Sequence, residues 1–586
     1  MHKWIRDFAP DVAATAQRFA LAIILSLAST LLAIALTNSL FIEFADVWFR
    51  LVAGLSIAAV FAVAGVLYGE SHAKSGLTYW LVAYGLPALA IGLMQVESFA
   101  LIVAPMLAPI SLLWLSLSSF TKVGQGEQRE EIQNRFWWMN HRAIITAIVA
   151  GFGFVLIALG FVATERAMSV LFGIRASSLF YEYLLPFTGM FLTPVYWLST
   201  IPRVSEYSEK EISEPDFLSR AIGFLGQFVL TPFLLIYALI LLAYALQILI
   251  SRALPEGMLS WMVLGFTIVG AANWLVLHPK FMHKRPLVKY FRRFWFWLTL
   301  VPIALYWLAV FVRIDAYGLT PDRIGLIAGG LWATALSLAF LSKKFADIRL
   351  IPGLALAMFL IWSVGPWNLV NLPQIHQAMR LDAAIYNATP ATQTTGGPYE
   401  WTDETAAIAR GAFQFLFSSA GDRERLSQVL SRHGITLDLD NMNSFSVLQE
   451  LGLDPSDSQN PAAALLDMRT PNGYIFDASR TPFVLGPLSL RANYAVSVGL
   501  LDFKTEPNGF KVSKPGQGEK LVQLQTWLDR QSGDRISQPV LEFEFAGTNY
   551  RLVISSIRLF PETSQAPLQV QHIAGVLYGD RRPTEE

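Results

Sequence analysis

The sequence contains no cysteine among its 586 residues. This absence excludes disulfide scaffolds, thiolate metal sites and cysteine nucleophiles, because each of these needs a thiol. Charged residues are also scarce, at 15% of the chain against about 25% in soluble domains. Hydrophobic residues reach 54% and the mean hydropathy is +0.44, which indicates many membrane spans rather than a soluble protein.

Charge of one sign does not dominate the chain, which has 44 Lys and Arg residues and 44 Asp and Glu residues. The balance differs between its two parts: residues 1–370 hold 26 basic against 20 acidic residues, and residues 371–586 hold 18 against 24. The first part therefore carries +6 and the second −6. Neither part is a dense basic field, so we expect no nucleic-acid partner.

Long apolar runs fill the first two thirds of the chain. A membrane helix needs about 20 mostly apolar residues to cross a hydrocarbon core of roughly 30 Å. By that criterion the sequence predicts a polytopic transmembrane helix bundle with about eleven spans. The runs lie at 18–40, 48–69, 77–96, 99–120, 143–164, 180–201, 221–250, 258–278, 294–313, 322–342 and 350–370. The separation of the third run from the fourth is the least distinct.

The loops between these runs differ strongly in their Lys and Arg content, which indicates orientation because such residues stay on the cytoplasmic side. With a cytoplasmic N-terminus, six basic residues fall outside: Arg50, Arg166, Arg175, Arg252, Arg313 and Arg323. Twenty fall inside: Lys3, Arg6, Arg18, Lys74, Lys122, Arg129, Arg135, Arg142, Arg203, Lys210, Arg220, Lys280, Lys284, Arg285, Lys289, Arg292, Arg293, Lys343, Lys344 and Arg349. An odd number of spans then places the C-terminal region on the outer face.

Tryptophans and prolines mark particular places in the runs. The tryptophans near run ends are typical of interfacial belts, among them Trp137, Trp138, Trp197, Trp295, Trp297 and Trp367. Prolines inside or near the runs can kink a helix and free a backbone carbonyl, which transporters use in binding sites, although purely structural kinks are commoner. These prolines are Pro186, Pro194, Pro232 and Pro302.

The composition changes after residue 370, where Gly, Pro, Asn, Asp and Ser become frequent. We predict a cytoplasmic N-terminus at 1–17, the helix bundle at 18–370, a linker or loop at 371–402 and an extracytoplasmic α+β domain at 403–586. In that domain the patterns predict helices at 403–420, 423–433 and 519–530. They also predict strands at 474–477, 483–501, 509–512, 540–545, 550–559 and 569–578, with a hairpin turn at 546–549.

Several segments carry a resemblance to a known family. They are Tyr181–Phe187, Leu230–Pro232, Arg313–Arg323, Leu350–Pro352 and Gly365–Trp367, of which the Tyr-Gly-Leu-Thr-Pro-Asp-Arg string starting at Tyr317 is the most specific. The sequence resembles bacterial inner-membrane proteins grouped as domain of unknown function 4153. The resemblance covers most of 15–370 and, more loosely, the C-terminal region. It implies a bacterial plasma-membrane location and brings no activity, so no catalytic residue is carried over.

Polar groups within the runs are candidate functional residues, since ionisable groups in hydrocarbon are costly. Glu182 lies between two tyrosines near the outer end of its run, where it is either a functional carboxylate or a solvated interfacial acid. Asn273, with Gln227 and Gln247, either bonds helices together or contributes to a binding site.

The outer loop from Arg313 to Arg323 has charges of alternating sign, at Arg313, Asp315, Asp322 and Arg323. It either contacts the outer domain or an anionic headgroup, or forms a charge-paired turn. In the second interpretation, which we favour, Thr320 caps the tenth helix and Pro321 begins it.

The inner loop 280–293 is the densest basic stretch, and anionic lipid would attract it, so membrane lipids are expected partners; a role in determining topology alone accounts for the same residues. In the C-terminal region Asp438, Asp440 and Asn443 lack the spacing of a calcium loop, and His376, His433 and His572 lack metal-ligand spacing. We therefore predict no catalytic, metal or cofactor-binding residue and no cofactor.

Together these observations favour a non-enzymatic cell-envelope protein whose outer domain, 403–586, binds a protein partner or another envelope component. A transporter or flippase with its site in the helix bundle is the first alternative. A lipid-linked glycosyltransferase using Glu43 or Asp46 in the first outer loop is the second.

Overall fold

The computed structural model divides the chain into two compact units, Met1–Ile314 with Thr320–Leu372, and Asp315–Leu319 with Pro373–Glu586. We call them unit 1 and unit 2. The residues that the structure describes are 13–38, 45–72, 74, 76–122, 124–174, 176–208, 217–251, 259–283, 285–342, 344–390, 399–418, 421–437, 439, 442, 444–453, 466–470, 476–478, 480–492, 494–514, 517–531, 536–560 and 568–581.

Within the described residues, eleven apolar helical segments follow one another along the first part of the chain, as predicted. Nine of those described are long and apolar enough to cross a membrane, and two shorter apolar helices stand where the fourth and eleventh runs were expected. The segments are α1 (Ala20–Thr37), α2 (Ala45–Ser71), α3 (Leu77–Gln95), α4 (Glu97–Leu117), α5 (Gly126–Phe172), α6 (Leu179–Glu206), α7 (Ser219–Ser251), α8 (Leu259–Val276), α9 (Pro286–Tyr317), α10 (Pro321–Leu341) and α11 (Leu350–Ser363).

Helix α5 is much longer than its predicted run. Its 47 residues span about 70 Å at 1.5 Å per residue, whereas a bilayer core is roughly 30 Å thick.

Trp137 and Trp138 lie in the first third of α5 and are buried, as is Trp295 in α9. The assignment of these three side chains to an interfacial belt is therefore wrong: they pack in the protein core, while Trp297 and Trp367 are exposed.

Four of the helix prolines follow a widened helical turn. Pro87, Pro186, Pro194 and Pro232 each lie two residues after a π-helical turn, at Leu81–Gly85, Leu179–Leu184, Thr188–Leu192 and Gly226–Leu230. A proline has no N–H to donate and its ring clashes with the carbonyl four residues earlier, so the helix relaxes into a wider turn there. Pro302 differs because α9 is interrupted at Thr299 and Pro302 lies in the first turn of its second part, where no N–H is needed.

The core of unit 1 is built from aromatic side chains on α8, α9 and α10. Trp295 and Tyr306 are almost completely buried, and Trp295 packs against Phe266 at 4.7 Å between ring centroids. Its indole also lies over Gly270, where a Cβ atom would overlap the ring. The close approach of α8 and α9 at this point therefore requires glycine.

Unit 2 begins with a helical part. It contains α12 (Asn371–Asn387), α13 (Asp403–Phe417), α14 (Arg423–Arg432) and α15 (Ser444–Glu450), which bury Leu381, Phe413, Leu416, Leu426 and Val447. The helices predicted at 403–420 and 423–433 are confirmed. The structure differs at 371–402, where we predicted a linker: residues 371–387 form α12, because Leu381, Ala384 and Ile385 recur at helical spacing and complete this core. A strand pair, β1 (Thr389–Pro390) and β2 (Tyr399–Glu400), follows.

Two antiparallel sheets follow in the described part of unit 2. The first has the order β3 (Leu466–Arg469), β10 (Thr548–Phe560), β11 (Gln569–Gly579) and β4 (Phe483–Arg491), with β9 (Val540–Phe545) also paired to β10. The second has the order β5 (Ala495–Val498), β6 (Leu501–Glu506), β7 (Gly509–Ser513) and β8 (Glu519–Gln523). Their inward residues share one core around Phe503, Phe510 and Leu552.

Most of the strand predictions agree with these sheets, and the predicted turn at 546–549 joins β9 to β10. Ala546 and Gly547 have φ values of 50° and 70°, as a two-residue hairpin turn requires. The predicted helix at 519–530 is wrong over its first half, where β8 forms, and only Gln525–Leu528 (α16) is helical. The predicted strand at 483–501 is divided among β4, β5 and β6, and of 474–477 only 476–477 lie within the described residues, outside any strand.

Candidate functional site: a buried polar network at the basic ends of the helices

Arg18, just before α1, forms a bidentate ion pair with Glu70 near the end of α2. Its Nε lies 2.7 Å from Oε1 and its Nη2 lies 3.0 Å from Oε2, and both side chains are only 13–15% exposed. The same guanidinium donates to the carbonyls of Ile201 and Pro202, which follow the main helical part of α6. Arg18 therefore joins three segments of the chain through charge-assisted hydrogen bonds.

Asp347, in the loop between α10 and α11, accepts hydrogen bonds from two arginines. Arg349 Nη2 lies 2.8 Å and Arg129 Nε 3.4 Å from Oδ2 of Asp347. Burial alone would raise the pKa of Asp347, but hydrogen bonds from Arg349 and the charges of both arginines outweigh it, so the pKa is lowered. Arg349 also donates to the carbonyls of Phe120 and Lys122, which attaches this loop to the end of α4.

His278 is buried beside Asn134 of α5. Its Nε2 lies 3.2 Å from the Asn134 Oδ1, an oxygen that can only accept, so Nε2 carries the proton. Burial, and then the positive charge of Arg292, lower the pKa of His278 to about 3, which keeps the ring neutral at physiological pH. Its Nδ1 is buried without a partner among the described residues.

We call Arg18, Glu70, Asn134, His278, Asp347 and Arg349 the basic-end network. Its contacts join six segments of unit 1. They are the residues before α1 and the five connections α2–α3, α4–α5, α6–α7, α8–α9 and α10–α11, each taken together with the helical turns beside it. Lys122 at the end of α4 also donates to the carbonyl of Ser71 at the end of α2, so α3 and α4 run out and back as two separate segments. Sequence reasoning noted the basic residues of this network only as topology signals and missed their acidic and neutral partners.

Asn273, a sequence-predicted candidate, lies at the crossing of α7 and α8. It is fully buried, and its Nδ2 donates to Thr231 Oγ1 at 2.9 Å, while Thr231 donates to the Gly226 carbonyl at 2.7 Å. A Cβ atom at Gly226 would lie 2.7 Å from Val276 and 3.1 Å from the Asn273 Oδ1. The amide therefore bonds two helices at a point of close approach, as the helix-packing interpretation expects.

The loop containing Asp315 contacts α12 within unit 2. Arg380 Nη1 donates to the Asp315 carbonyl at 2.7 Å, and Gln377 Nε2 donates to the carbonyls of Tyr317 and Leu319 at 3.1 and 2.8 Å. Gly318 has φ +74°, and a Cβ there would lie 2.7 Å from Gln377 Nε2. The side chains of α12 thus bind the backbone of this loop.

His376 extends the same contact, because its Nδ1 accepts a hydrogen bond from the Leu319 N–H at 3.3 Å. Burial and the neighbouring Arg380 lower the pKa of His376, which keeps Nδ1 free to accept. His433 instead pairs with Asp382 at 2.9 Å.

The remaining candidates are dispersed. Thr320 caps α10 by accepting the Arg323 N–H, as predicted, and Asp322 is exposed in the first turn. Arg313 is half-buried near the end of α9, and Glu182 is half-buried in the first π-helical turn of α6. Asp46 is exposed at the start of α2, whereas Glu43, Asp438, Asp440 and Asn443 lie outside the described residues. No cluster of three metal-ligating side chains occurs within the described part of the chain.

Comparison with known proteins identifies the family. The model described as "Domain of unknown function (DUF4153)" matches residues 30–384, which is more than half of the chain. The chain belongs to the DUF4153 family. The match ends within α12, so the family region includes α2 to α11 and the loop that α12 binds, and stops before both sheets.

One similar relative is an uncharacterized protein of Pasteurella multocida (strain Pm70). It is 24% identical over 201 residues, which is 33% of this chain and 33% of that protein. The chain therefore aligns with only a third of its relative's length. No solved structure matches. The apolar helices indicate that this member of the DUF4153 family is a multi-pass membrane protein.

Proposed function

We propose that this protein is a non-enzymatic component of the bacterial inner membrane that holds its C-terminal domain outside the cytoplasm to bind an envelope partner. The orientation rests on the basic-end network. Its contacts gather the ends of segments that carry twenty of the twenty-six Lys and Arg residues before residue 371, and such residues remain on the cytoplasmic side.

The proposed position of the C-terminal domain rests on the alternation of successive spans across the membrane. After α9 and α11 the chain is on the side opposite to the basic ends, and the bonds of Gln377 and Arg380 to residues 315–319 are consistent with this, since they join the α9–α10 connection to α12. Both segments would then lie in the periplasm or outside the cell.

The observation that carries a binding function is the set of hydrogen bonds made by the family-specific string starting at Tyr317. The backbone carbonyls of Tyr317 and Leu319 accept hydrogen bonds from Gln377, and Gly318 permits this close contact. The string therefore supports a folded domain with two cores of its own. This is the arrangement expected of a membrane protein that presents a domain of 403–586 to a protein partner or envelope component.

Mass spectrometry of proteins and lipids that co-purify with the tagged chain in native-membrane particles tests this function. The full-length protein is compared with a chain ending at Leu372 and with Gln377→Ala, for which the exposed Gln428→Ala is the matched control. We expect specific envelope components with the full-length protein and Gln428→Ala, a reduced yield with Gln377→Ala, and none with the shortened chain. Enrichment of the same components by every form would refute a binding role for the domain.

A transporter or flippase remains the second candidate, favoured by one observation. Asn273 Oδ1 is buried without a hydrogen-bond partner among the described residues, beside the π-helical turn at Gly226–Leu230. Loss of function in Asn273→Leu while domain-dependent co-purification is unchanged would favour transport over partner binding.

A further inference from the structure

The basic stretch 280–293 divides into two groups once its contacts are known. Lys280 pairs with Glu130 at 3.2 Å, and Arg285 donates to Gln227 Oε1 at 2.6 Å. Arg292 donates to the Leu277 carbonyl and lies 4.5 Å from the ring centroid of Trp274. Arg292 therefore takes part in the packing of unit 1, whereas Lys280 and Arg285 are exposed but already have partners within it.

Lys289 and Arg293 instead lie on an exposed face of the Pro286–Leu298 part of α9. Tyr290, Phe294 and Trp297 belong to the same broad face: Lys289, Arg293 and Trp297 are four positions apart, and Tyr290, Phe294 and Trp297 are four and three positions apart, spacings that recur on one side of a helix. Tyr290 is 63% and Trp297 59% exposed. Among the described residues no carboxylate pairs with Lys289 or Arg293, so both charges are uncompensated there.

The opposite face of this helical part is buried, with Val288, Phe291 and Trp295 in the core of unit 1. The helix is therefore held firmly by the protein while its basic and aromatic face stays open. We call Lys289, Tyr290, Arg293, Phe294 and Trp297 the α9 surface.

The length of α9 places this surface at the edge of the hydrocarbon. Its 32 residues extend about 48 Å, whereas the predicted span 294–313 covers about 30 Å, the thickness of a hydrocarbon core. Lys289 and Arg293, which precede that span, then fall at the level of the headgroups. Tyrosine and tryptophan are enriched at this depth because one end of each ring is polar.

We propose that the α9 surface binds the headgroup of an anionic phospholipid in the adjacent leaflet. Lys289 and Arg293, one helical turn apart, would both contact the headgroup phosphate, and the three aromatic side chains would lie along the acyl chains. The charge of the surface matches an anionic lipid, and each basic residue near a membrane favours such a lipid about fivefold. This site is separate from the partner-binding domain proposed above.

Native mass spectrometry of the detergent-solubilised full-length protein, titrated with dioleoyl phosphatidylglycerol, tests the proposal. We expect Lys289→Gln/Arg293→Gln to weaken binding of this lipid about thirtyfold and to leave binding of dioleoyl phosphatidylethanolamine unchanged. Trp297→Leu should weaken both lipids by similar factors, because it removes contacts to the acyl chain rather than to the headgroup.

Lys74→Gln/Arg220→Gln is the matched control, since it removes two exposed positive charges from the same set of loops. It should change phosphatidylglycerol binding less than threefold. Equal losses in the two double variants would show a general charge effect and would overturn the site. Unchanged binding in Lys289→Gln/Arg293→Gln, or full competition by millimolar inorganic phosphate, would overturn it as well.

Discussion

Removing the negative charge of Glu70 should destabilise the protein more than any exposed charge substitution. Glu70→Gln leaves the Arg18 guanidinium in a site where it is only 13% exposed, still bonded to carbonyls but without its counter-ion. Breaking a buried ion pair in this way costs about 3–5 kcal/mol. Because α1, α2 and the residues after α6 meet at this arginine, we expect the loss to affect the whole of unit 1.

The assay is thermal unfolding of the detergent-solubilised protein, followed by the fraction that remains monodisperse after heating. A loss of this size corresponds to a decrease in midpoint of roughly 5–10 °C. Glu131→Gln is the matched control: it removes the same group from the exposed Arg135–Glu131 pair, which is 40% and 54% exposed and worth about 0.5 kcal/mol or less. The double variant Arg18→Met/Glu70→Leu should recover much of the loss, since an apolar pair leaves no buried charge.

The reasoning would be refuted if Glu70→Gln melted like the unsubstituted protein, or if Glu131→Gln lowered the midpoint equally. Failure of Arg18→Met/Glu70→Leu to recover stability would instead show that the carbonyl bonds of Arg18, rather than its charge pairing, dominate this site.

Three further predictions concern other parts of the molecule. Gly318→Ala should destabilise unit 2 by about 1–2 kcal/mol, because alanine is strained at φ +74°, and should therefore lower its unfolding midpoint. At the open helical position Gly411, alanine should leave the midpoint unchanged or raise it, and equal effects at the two positions would contradict the role of the positive φ. Asp347 has a lowered pKa, so its contribution to stability is present above its ordinary value of 3.8 and lost as the pH falls through the lower folded value; unfolding midpoints of Asp347→Asn should lack this acid-side decrease. In this cysteine-free chain, Lys74→Cys should react with an impermeant maleimide only from the cytoplasmic side and Lys504→Cys only from the outside, and the reverse result would overturn the orientation.

The helical segments were predictable because a span must be long and apolar whatever its neighbours are. The same argument explains the cap at Thr320, which depends only on residues three positions away. The helix α12 was missed although Leu381, Ala384 and Ile385 recur at helical spacing, because its many polar residues resemble a linker until that apolar face completes a core with α13 and α14. The strand β8 was assigned as helix for a similar reason: its pairing with β7 overrides the local preference of 519–523.

The functional candidates likewise divide into residues that carry a local sequence signal and residues that do not. Asn273 was recognised because a polar side chain in an apolar run is conspicuous, but its partner Thr231 is 42 positions away and was not identified. Glu70, Asn134 and Asp347 gave no local signal, since an acid or amide at the end of a membrane helix is ordinarily solvated. Their burial arises only when loops separated by 52 to 218 residues meet.

The sequence by itself determined the membrane character, the order of the eleven segments, the family and most strands of the C-terminal domain, because hydrophobic length and local periodicity act within short stretches of chain. Only the tertiary structure decided which charges are compensated. It showed that Arg285 is bonded to Gln227 and Arg292 lies against Trp274, while Lys289 and Arg293 have no ion pair among the described residues, and that Trp295 is core while Trp297 is exposed. These pairs lie within a few residues of one another, and what separates them is the direction in which a helix faces its neighbours, which depends on contacts distant in sequence.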